Sequence, residues 1–150
     1  MSILDFTWNY IVIFLFVLTV LVYVHEWGHY WVARRNGVRV EIFSIGFGPE
    51  IYGWTNGAGT RWKISAIPLG GYVKMFGEGE LIDEDGKDKR PMSAEEKRVS
   101  FHHKTLSQRA AIVSAGPLVN FLFAIIVFAG LAGFIGTPTP LAGIGKVMAD

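Results

Sequence analysis

Two apolar stretches constrain this chain more than any other feature of its sequence. The first covers residues 10–24 and the second about 110–135, and neither contains a charged side chain. A helix needs about 20 residues to cross roughly 30 Å of hydrocarbon, so the second stretch can span a bilayer alone. The first must continue as a helix through residues 25–33. We therefore predict a mainly α membrane protein with two transmembrane helices, over 1–33 (with its N-terminal segment) and 110–135.

A cleavable signal peptide is the alternative for the first stretch. The first nine residues carry no positive charge and no small-x-small cleavage pattern follows, so a retained helix is favoured. Thirteen of the fourteen Lys and Arg residues fall within residues 34–109. The positive-inside rule then places residues 34–109 in the cytoplasm, and both the N-terminus and the tail 136–150 on the outer side.

The region between the two helices is predicted to contain a small cytoplasmic or membrane-associated β-element. Residues 61–67 alternate polar and apolar side chains, and the turn residues at 56–59 predict a hairpin of short strands with residues 51–54. Residues 78–88 are rich in charge and glycine, which predicts a solvated loop. Ser93 and Glu96 have the spacing of a capping box, which predicts a short helix.

The chemical signature of the chain is the pentapeptide HEWGH at residues 25–29. Residues four apart on a helix lie about 40° apart around its axis, so His25 and His29 can reach one metal ion. Glu26 projects about 100° from His25, where it can contact a metal-bound water as a general base. Counted from Arg34, His29 lies about 7 Å and His25 about 13 Å inside the helix end. Ionisable side chains at such depth are costly and are usually functional.

The remaining metal ligands are less defined by the sequence. A catalytic zinc site usually has three protein ligands and one open position, and a chain without cysteine must supply nitrogen or oxygen ligands. His102 and His103 are candidates for the third ligand, and the alternative is that they are ordinary polar residues before the second helix. Two imidazoles also bind other divalent ions, so these residues alone leave the metal open.

Four separated segments together resemble the site-2 protease family of intramembrane zinc metalloproteases, and most closely its bacterial branch of sigma-E regulators. They are HEWGH at 25–29, FSIGFGP at 43–49, PLGGYVKM at 68–75 and AGPLVNF at 115–121. The resemblance implies Zn²⁺ at His25 and His29, with Glu26 as the catalytic base. It implies a bacterial inner-membrane enzyme with a periplasmic N-terminus, acting in regulated intramembrane proteolysis.

The same resemblance implies which partners the protein binds and which elements of the family pattern this chain does not contain. The expected partners are the lipid bilayer and single-span membrane substrates such as anti-sigma factors, with no nucleic acid. The third zinc ligand of the family is an aspartate in an L-D-G motif on a later helix, and this chain contains no L-D-G. Residues 144–147 look like the opening strand of a PDZ domain, so the tail is expected to begin a truncated one. This chain alone is expected to be incomplete for catalysis.

Two further segments are predicted to bind substrate. A helical substrate has no free amides, so it must be unwound, and pairing with an exposed strand edge would replace its lost hydrogen bonds. This role is assigned to Gly70, Gly71, Tyr72, Val73, Lys74 and Met75, and the alternative is a plain turn and strand. Asn120 is placed beside the metal or the substrate carbonyl, and its alternative is a hydrogen bond to a neighbouring helix.

A non-enzymatic membrane protein is the rival interpretation of the whole chain. Such a protein would be a metal-binding or transport component, or an inactive relative that binds membrane helices. Metal binding by His25 and His29 is compatible with both interpretations. The presence of the acidic third ligand downstream in the same gene would favour the enzyme.

Overall fold

The computed structural model describes residues 3–78 and 92–136, with side chains from residue 7 onward. Most of the predicted solvated loop and the predicted PDZ strand at 144–147 lie outside the described residues. The described elements, in chain order, are α1 (Ile3–Arg35), β1 (Val40–Thr55), β2 (Arg61–Met75), α2 (Ala94–Val99) and α3 (Leu106–Ile135). A small sheet thus lies between two long helices, as the sequence predicts.

The helices α1 and α3 are long and apolar enough to cross a membrane. Their candidate spans contain 29 and 30 residues. Arg34 and Arg35 occupy the last turn of α1, where positive charge is favourable to the helix dipole. The helix α3 begins at Leu106, ahead of the apolar stretch, because Thr105 and Gln108 form a capping box there. Large apolar side chains along both helices are exposed, as expected for contact with lipid.

The sheet consists of two long strands that each bend back on themselves. Residues 40–45 pair antiparallel with 71–75, and residues 50–55 pair antiparallel with 61–65. Residues 42–45 also pair with residues 61–64. Residue numbers increase in the same direction along both segments, so this pairing is parallel. Four segments thus lie side by side in the order 50–55, 61–65, 40–45 and 71–75. The predicted hairpin is present within strands that are much longer than the sequence indicates.

Glycine permits the bend in β1. Gly46 has a φ of +87°, a left-handed backbone conformation that side chains with a Cβ rarely adopt. A Cβ at this position would lie 2.7 Å from the carbonyl oxygen of Ile67 and 3.0 Å from that of Ser65. The bend therefore requires both the positive φ and the absence of a side chain.

Aromatic side chains attach the sheet to α1. The Phe43 and Trp62 rings stack with centroids 4.1 Å apart, joining β1 to β2. Tyr30 of α1 packs edge-on against both, at 5.8 Å from Phe43 and 5.2 Å from Trp62. A second apolar cluster, centred on Ala33, Val38, Val40, Met75, Phe101 and Ile112, joins the end of α1 to both strands and α3. The sheet is therefore held against the C-terminal half of α1.

The outer surface of the sheet is apolar. Among its exposed large side chains are Phe47, Ile51, Tyr52, Trp54, Ile64, Ile67 and Leu69. A soluble monomer rarely exposes so many apolar groups on one small element. The predicted β-element is present, and these exposed apolar side chains are suited to contact with another apolar surface; its cytoplasmic or membrane-associated position stays a prediction.

Replacing Gly46 with Ala tests the bend. We expect Gly46→Ala to destabilise the fold by about 1–3 kcal/mol, because the new Cβ is strained at positive φ and collides with the Ile67 carbonyl. The measurement is the thermal unfolding midpoint in detergent, followed by tryptophan fluorescence. Gly57→Ala is the matched control, because Gly57 has no atom within 4 Å and no positive φ. Equal midpoints for the two variants would contradict the role assigned to Gly46.

Candidate metal centre

Two glycines bring α1 and α3 into close contact. A Cβ on Gly28 of α1 would lie 2.7 Å from the carbonyl oxygen of Ala115 in α3. A Cβ on Gly116 of α3 would lie 2.7 Å from Nε2 of His25 and would overlap Nε2 of His29. The absence of side chains at both positions lets the helices approach closely. As a result, the Nε2 atoms of both histidines face the same point on α3.

The two imidazoles have the geometry of a metal site. Two rings bound through Nε2 to one tetrahedral zinc, with Zn–N of about 2.1 Å, have centroids about 5 Å apart. The centroids of His25 and His29 are 4.8 Å apart, with the ring planes at 76°. The pair therefore fits a zinc ion as two of its ligands, with Nε2 as the donor atom of each.

The orientation of His29 is set by the backbone of α3. Its Nδ1 lies 2.8 Å from the carbonyl oxygen of Ile112. A carbonyl can only accept, so Nδ1 carries the proton and Nε2 keeps the lone pair that a metal requires. Pro117, inside the same helix, leaves the carbonyl of Val113 without its usual backbone donor.

Asn120 makes the corresponding contact with His25. Its Nδ2 lies 3.3 Å from Nδ1 of His25. Its Oδ1 is buried and has no hydrogen-bond partner. Each histidine therefore has a polar group of α3 at its Nδ1, a backbone carbonyl for His29 and a side-chain amide for His25.

Glu26 lies between the histidines and one edge of the sheet. A Cβ on Gly71 would lie 2.6 Å from the Ser44 carbonyl oxygen, 2.8 Å from Cγ1 of Val22 and 3.3 Å from Cγ of Glu26. Only a residue without a side chain allows the segment 71–75 to approach α1 this closely. The carboxyl-bearing side chain of Glu26 is consequently adjacent to the sheet edge.

Two cavities border this edge. The first has a volume of about 290 Å³, and its lining includes Glu26, His29, Gly71, Tyr72, Val73, Met75, Glu78 and Ile112. The second is lined by His25, Glu26, Gly70, Gly71 and Asn120, among others. Glu26 and Gly71 line both cavities, so the general-base candidate and the sheet edge share one open region with the histidines.

The structure brings together most of the residues predicted for the site. His25, Glu26, His29, Gly70, Gly71, Tyr72, Val73, Met75 and Asn120 line these two cavities. Lys74 lines neither of them, and its Nζ lies 3.9 Å from the Glu41 carboxylate. Lys74 is therefore the one predicted substrate-binding residue that these two cavities do not include.

The candidate third ligands lie elsewhere. His102 and His103 are exposed, and Nδ1 of His103 is 3.1 Å from Oγ of Ser100. Within residues 3–78 and 92–136, no group of three His, Asp or Glu side chains is arranged to hold a metal ion. The described residues therefore supply two ligands and a base.

Two residues near the site are not predicted from the sequence. Ile112 contributes its backbone carbonyl, and a backbone group leaves no trace in the residue type. Glu78 lines the first cavity, and its Oε2 lies 3.3 Å from the backbone nitrogen of Met75. It belongs to the charged segment predicted to be a solvated loop, and the sequence contains no signal that separates it from its neighbours.

The model for peptidase family M50 matches residues 13–148. The chain belongs to family M50. The resemblance to site-2 proteases predicted from the four sequence segments is thereby confirmed.

Curated relatives agree with the M50 assignment. The chain is 50% identical over 137 residues to a protein of Agrobacterium fabrum named as a zinc metalloprotease, covering 91% of this chain and 36% of that protein. It is 47% identical over 144 residues to the regulator of sigma-E protease of Salmonella typhimurium, covering 96% of this chain and 30% of that protein. The chain thus spans about a third of the length of these relatives.

A methyl group at Gly116 tests the metal centre. We expect Gly116→Ala to abolish metal binding, because the added Cβ would occupy the space in front of both Nε2 atoms. Zinc content after purification in detergent, measured by mass spectrometry, reports the effect. Gly130→Ala on the same helix is the matched control, since no atom lies within 4 Å of its new Cβ. Stoichiometric zinc in a folded Gly116→Ala protein would show that the metal does not bind at this point.

Proposed function

We propose that this chain is the N-terminal part of a zinc-dependent intramembrane endopeptidase. The observation that carries the proposal is that both Nε2 atoms face one point beside Gly116, with Glu26 next to them and a strand edge alongside. Membership of a peptidase family and relatives named as zinc metalloproteases support the same chemistry. The described residues do not supply a third ligand, and the family resemblance makes an aspartate of an L-D-G motif the proposed one.

The assigned roles follow from the geometry of the two helices. His25 and His29 bind zinc through Nε2, and their Nδ1 atoms are held by α3. When bound, the zinc supplies Lewis acidity that polarises the scissile carbonyl and makes a water nucleophilic near neutral pH. The Glu26 carboxylate would act as the general base that accepts a proton from the attacking water and as the acid that returns it to the leaving amine. Its place beside the segment 71–75 puts the base where an extended substrate would lie.

The segment 71–75 is proposed to bind the unwound substrate through its backbone. The backbone N–H of Phe76 donates to the Arg39 carbonyl, towards the sheet, whereas that of Met75 faces Glu78. N–H groups alternate along a strand, so those of Val73 and Gly71 also face away from the sheet. Outward-facing N–H groups of this kind, with the adjacent carbonyls, can pair with an extended peptide. Gly70 and Asn120, in the second cavity, would line the space into which the bound peptide continues beyond this segment.

The substrate class follows from the location of the site. In the proposed orientation, the N-terminus is periplasmic, residues 34–109 are cytoplasmic, and the site lies within the bacterial inner membrane. A site enclosed by two membrane helices and a lipid-facing sheet is accessible to the membrane segments of other proteins. We propose single-span membrane regulators as substrates. Anti-sigma factors are the example that the family resemblance implies, and one relative is named regulator of sigma-E protease.

Removal of the Glu26 carboxylate tests the enzymatic proposal. In the full-length protein, Glu26→Gln should retain zinc, because Glu26 is not a ligand, and should lower cleavage of a membrane-embedded substrate by at least about 100-fold. Cleavage is measured in detergent or proteoliposomes with purified components, and zinc by mass spectrometry. His25→Ala serves as the comparison that loses both. A zinc-loaded Glu26→Gln enzyme that still cuts would refute the assignment of the base, and a zinc-loaded wild-type protein that never cuts would favour the non-enzymatic rival.

Removal of one backbone donor tests the substrate edge. Val73→Pro deletes an N–H that faces the cavity but leaves the donors of Tyr72 and Lys74 that face the sheet, so we expect substrate binding to weaken about 5- to 10-fold per hydrogen bond lost. Val73→Ala is the control, because it trims the side chain and keeps the N–H. Crosslinking of substrate to the segment 71–75, at equal zinc content, reports binding. Equal crosslinking in the two variants would refute strand pairing at this edge.

A further inference from the structure

The contact between Asn120 and His25 leaves one polar atom unexplained. Nδ2 of Asn120 lies 3.3 Å from Nδ1 of His25, while Oδ1 is buried without a partner. A buried amide oxygen without a hydrogen bond is unfavourable, typically by about 1–3 kcal/mol, and more so where no water can reach it. The arrangement therefore calls for a donor at Oδ1.

The amide orientation also determines the tautomer of His25. If Nδ2 donates to Nδ1, then Nδ1 holds the lone pair and Nε2 must carry the proton of a neutral ring. A protonated Nε2 cannot bind a metal, although it is this atom that faces Gly116 and the partner imidazole. The contact as described is thus compatible with a metal-free ring only.

Rotation of the amide places an acceptor at Nδ1 of His25 and removes the conflict with metal binding, while Nδ2 takes the position that Oδ1 occupied. A half-turn exchanges Oδ1 and Nδ2 with almost no change in shape, since the two atoms are nearly equal in size. Oδ1 then lies at Nδ1 of His25 and accepts its proton in a hydrogen bond. The orphaned oxygen gains a donor, and Nε2 of His25 gains the lone pair that it directs at the metal position.

We propose that Asn120 is a positioning residue whose Oδ1 accepts the Nδ1–H of His25 and holds this ring in the metal-binding tautomer. The inference rests on the proposed zinc site and adds the group that orients one of its ligands. It also differs from the substrate-binding role predicted for Asn120 from the sequence, because the amide acts through His25. His29 supports the interpretation by symmetry, since the Ile112 carbonyl performs the same function for its Nδ1.

Two substitutions separate hydrogen bonding from shape. Asn120→Leu has similar volume and no acceptor, whereas Asn120→Asp retains an oxygen that accepts from Nδ1. In the full-length protein in detergent, we expect zinc affinity to fall about 10- to 100-fold in Asn120→Leu and to remain at or above the wild-type value in Asn120→Asp. Competition with a chelator of known affinity measures this directly. Ser114→Leu, at an exposed position of the same helix, is the matched control and should bind zinc normally.

A spectroscopic readout identifies the tautomer. In zinc-loaded protein with ¹⁵N-labelled histidine, the His25 signal, assigned by its loss in His25→Ala, should show a protonated Nδ1 and a metal-bound Nε2. In Asn120→Leu without zinc, the preference for the Nδ1–H form should be lost, while Asn120→Asp retains it. A purely structural role for Asn120 would change stability without moving this equilibrium.

The outcomes distinguish this inference from the proposed enzyme. Wild-type zinc affinity in Asn120→Leu, or an equal loss in Asn120→Asp, would overturn the positioning role and leave the protease proposal intact. Zinc loading that depends on Asn120, in a protein that does not cleave membrane substrates, would support the positioning role and overturn the protease proposal. A full-length wild-type protein that binds no zinc would overturn both.

Discussion

The contact between α1 and α3 at Gly28 and Gly116 is the constraint from which the rest of the site follows. Lipid is as apolar as the helix surfaces, so helices in a membrane associate through close packing and hydrogen bonds rather than through the hydrophobic effect. Close packing here places both imidazoles directly against α3. At that distance the backbone carbonyl of Ile112 lies next to Nδ1 of His29, and the side-chain amide of Asn120 lies next to Nδ1 of His25. A larger residue at either glycine would separate the histidines from the groups that orient them.

The sheet also depends on glycines, whose lack of a side chain permits close contacts and bends. Gly71 lets the segment 71–75 lie beside Glu26, and Gly46 lets β1 turn so that residues 42–45 serve two neighbours. Aromatic stacking of Phe43 and Trp62 against Tyr30 holds the sheet on α1. The edge that borders the cavities is therefore determined by bends and packing some distance from it. The exposed apolar side chains of the sheet are consistent with a position at the lipid boundary.

Local rules allowed part of this structure to be predicted from the sequence. The length of the apolar stretches predicts both long helices, the helical period places His25 and His29 together, and turn residues at 56–59 predict the hairpin. The bend at Gly46 cannot be predicted by such rules, because glycine alone does not indicate which way a strand turns. The carbonyl of Ile112 was also unpredictable, since its role arises from tertiary packing. His102 and His103 illustrate the converse, because the right residue types lie at the surface instead of beside the metal point.

The two histidines contact groups of different kinds, a backbone carbonyl for His29 and a side-chain amide for His25. At position 112 the backbone supplies the carbonyl to His29, so this hydrogen bond does not depend on a side-chain polar group, although the buried Ile112 side chain packs in the apolar cluster between α1 and α3. His25 relies on the side chain at position 120, which one nucleotide substitution can replace. Substitutions at the two positions should therefore fail for different reasons, through lost packing at Ile112 and through the lost amide at Asn120. An apolar residue of similar shape should be tolerated at position 112 but not at position 120, although both residues are one contact away from a histidine.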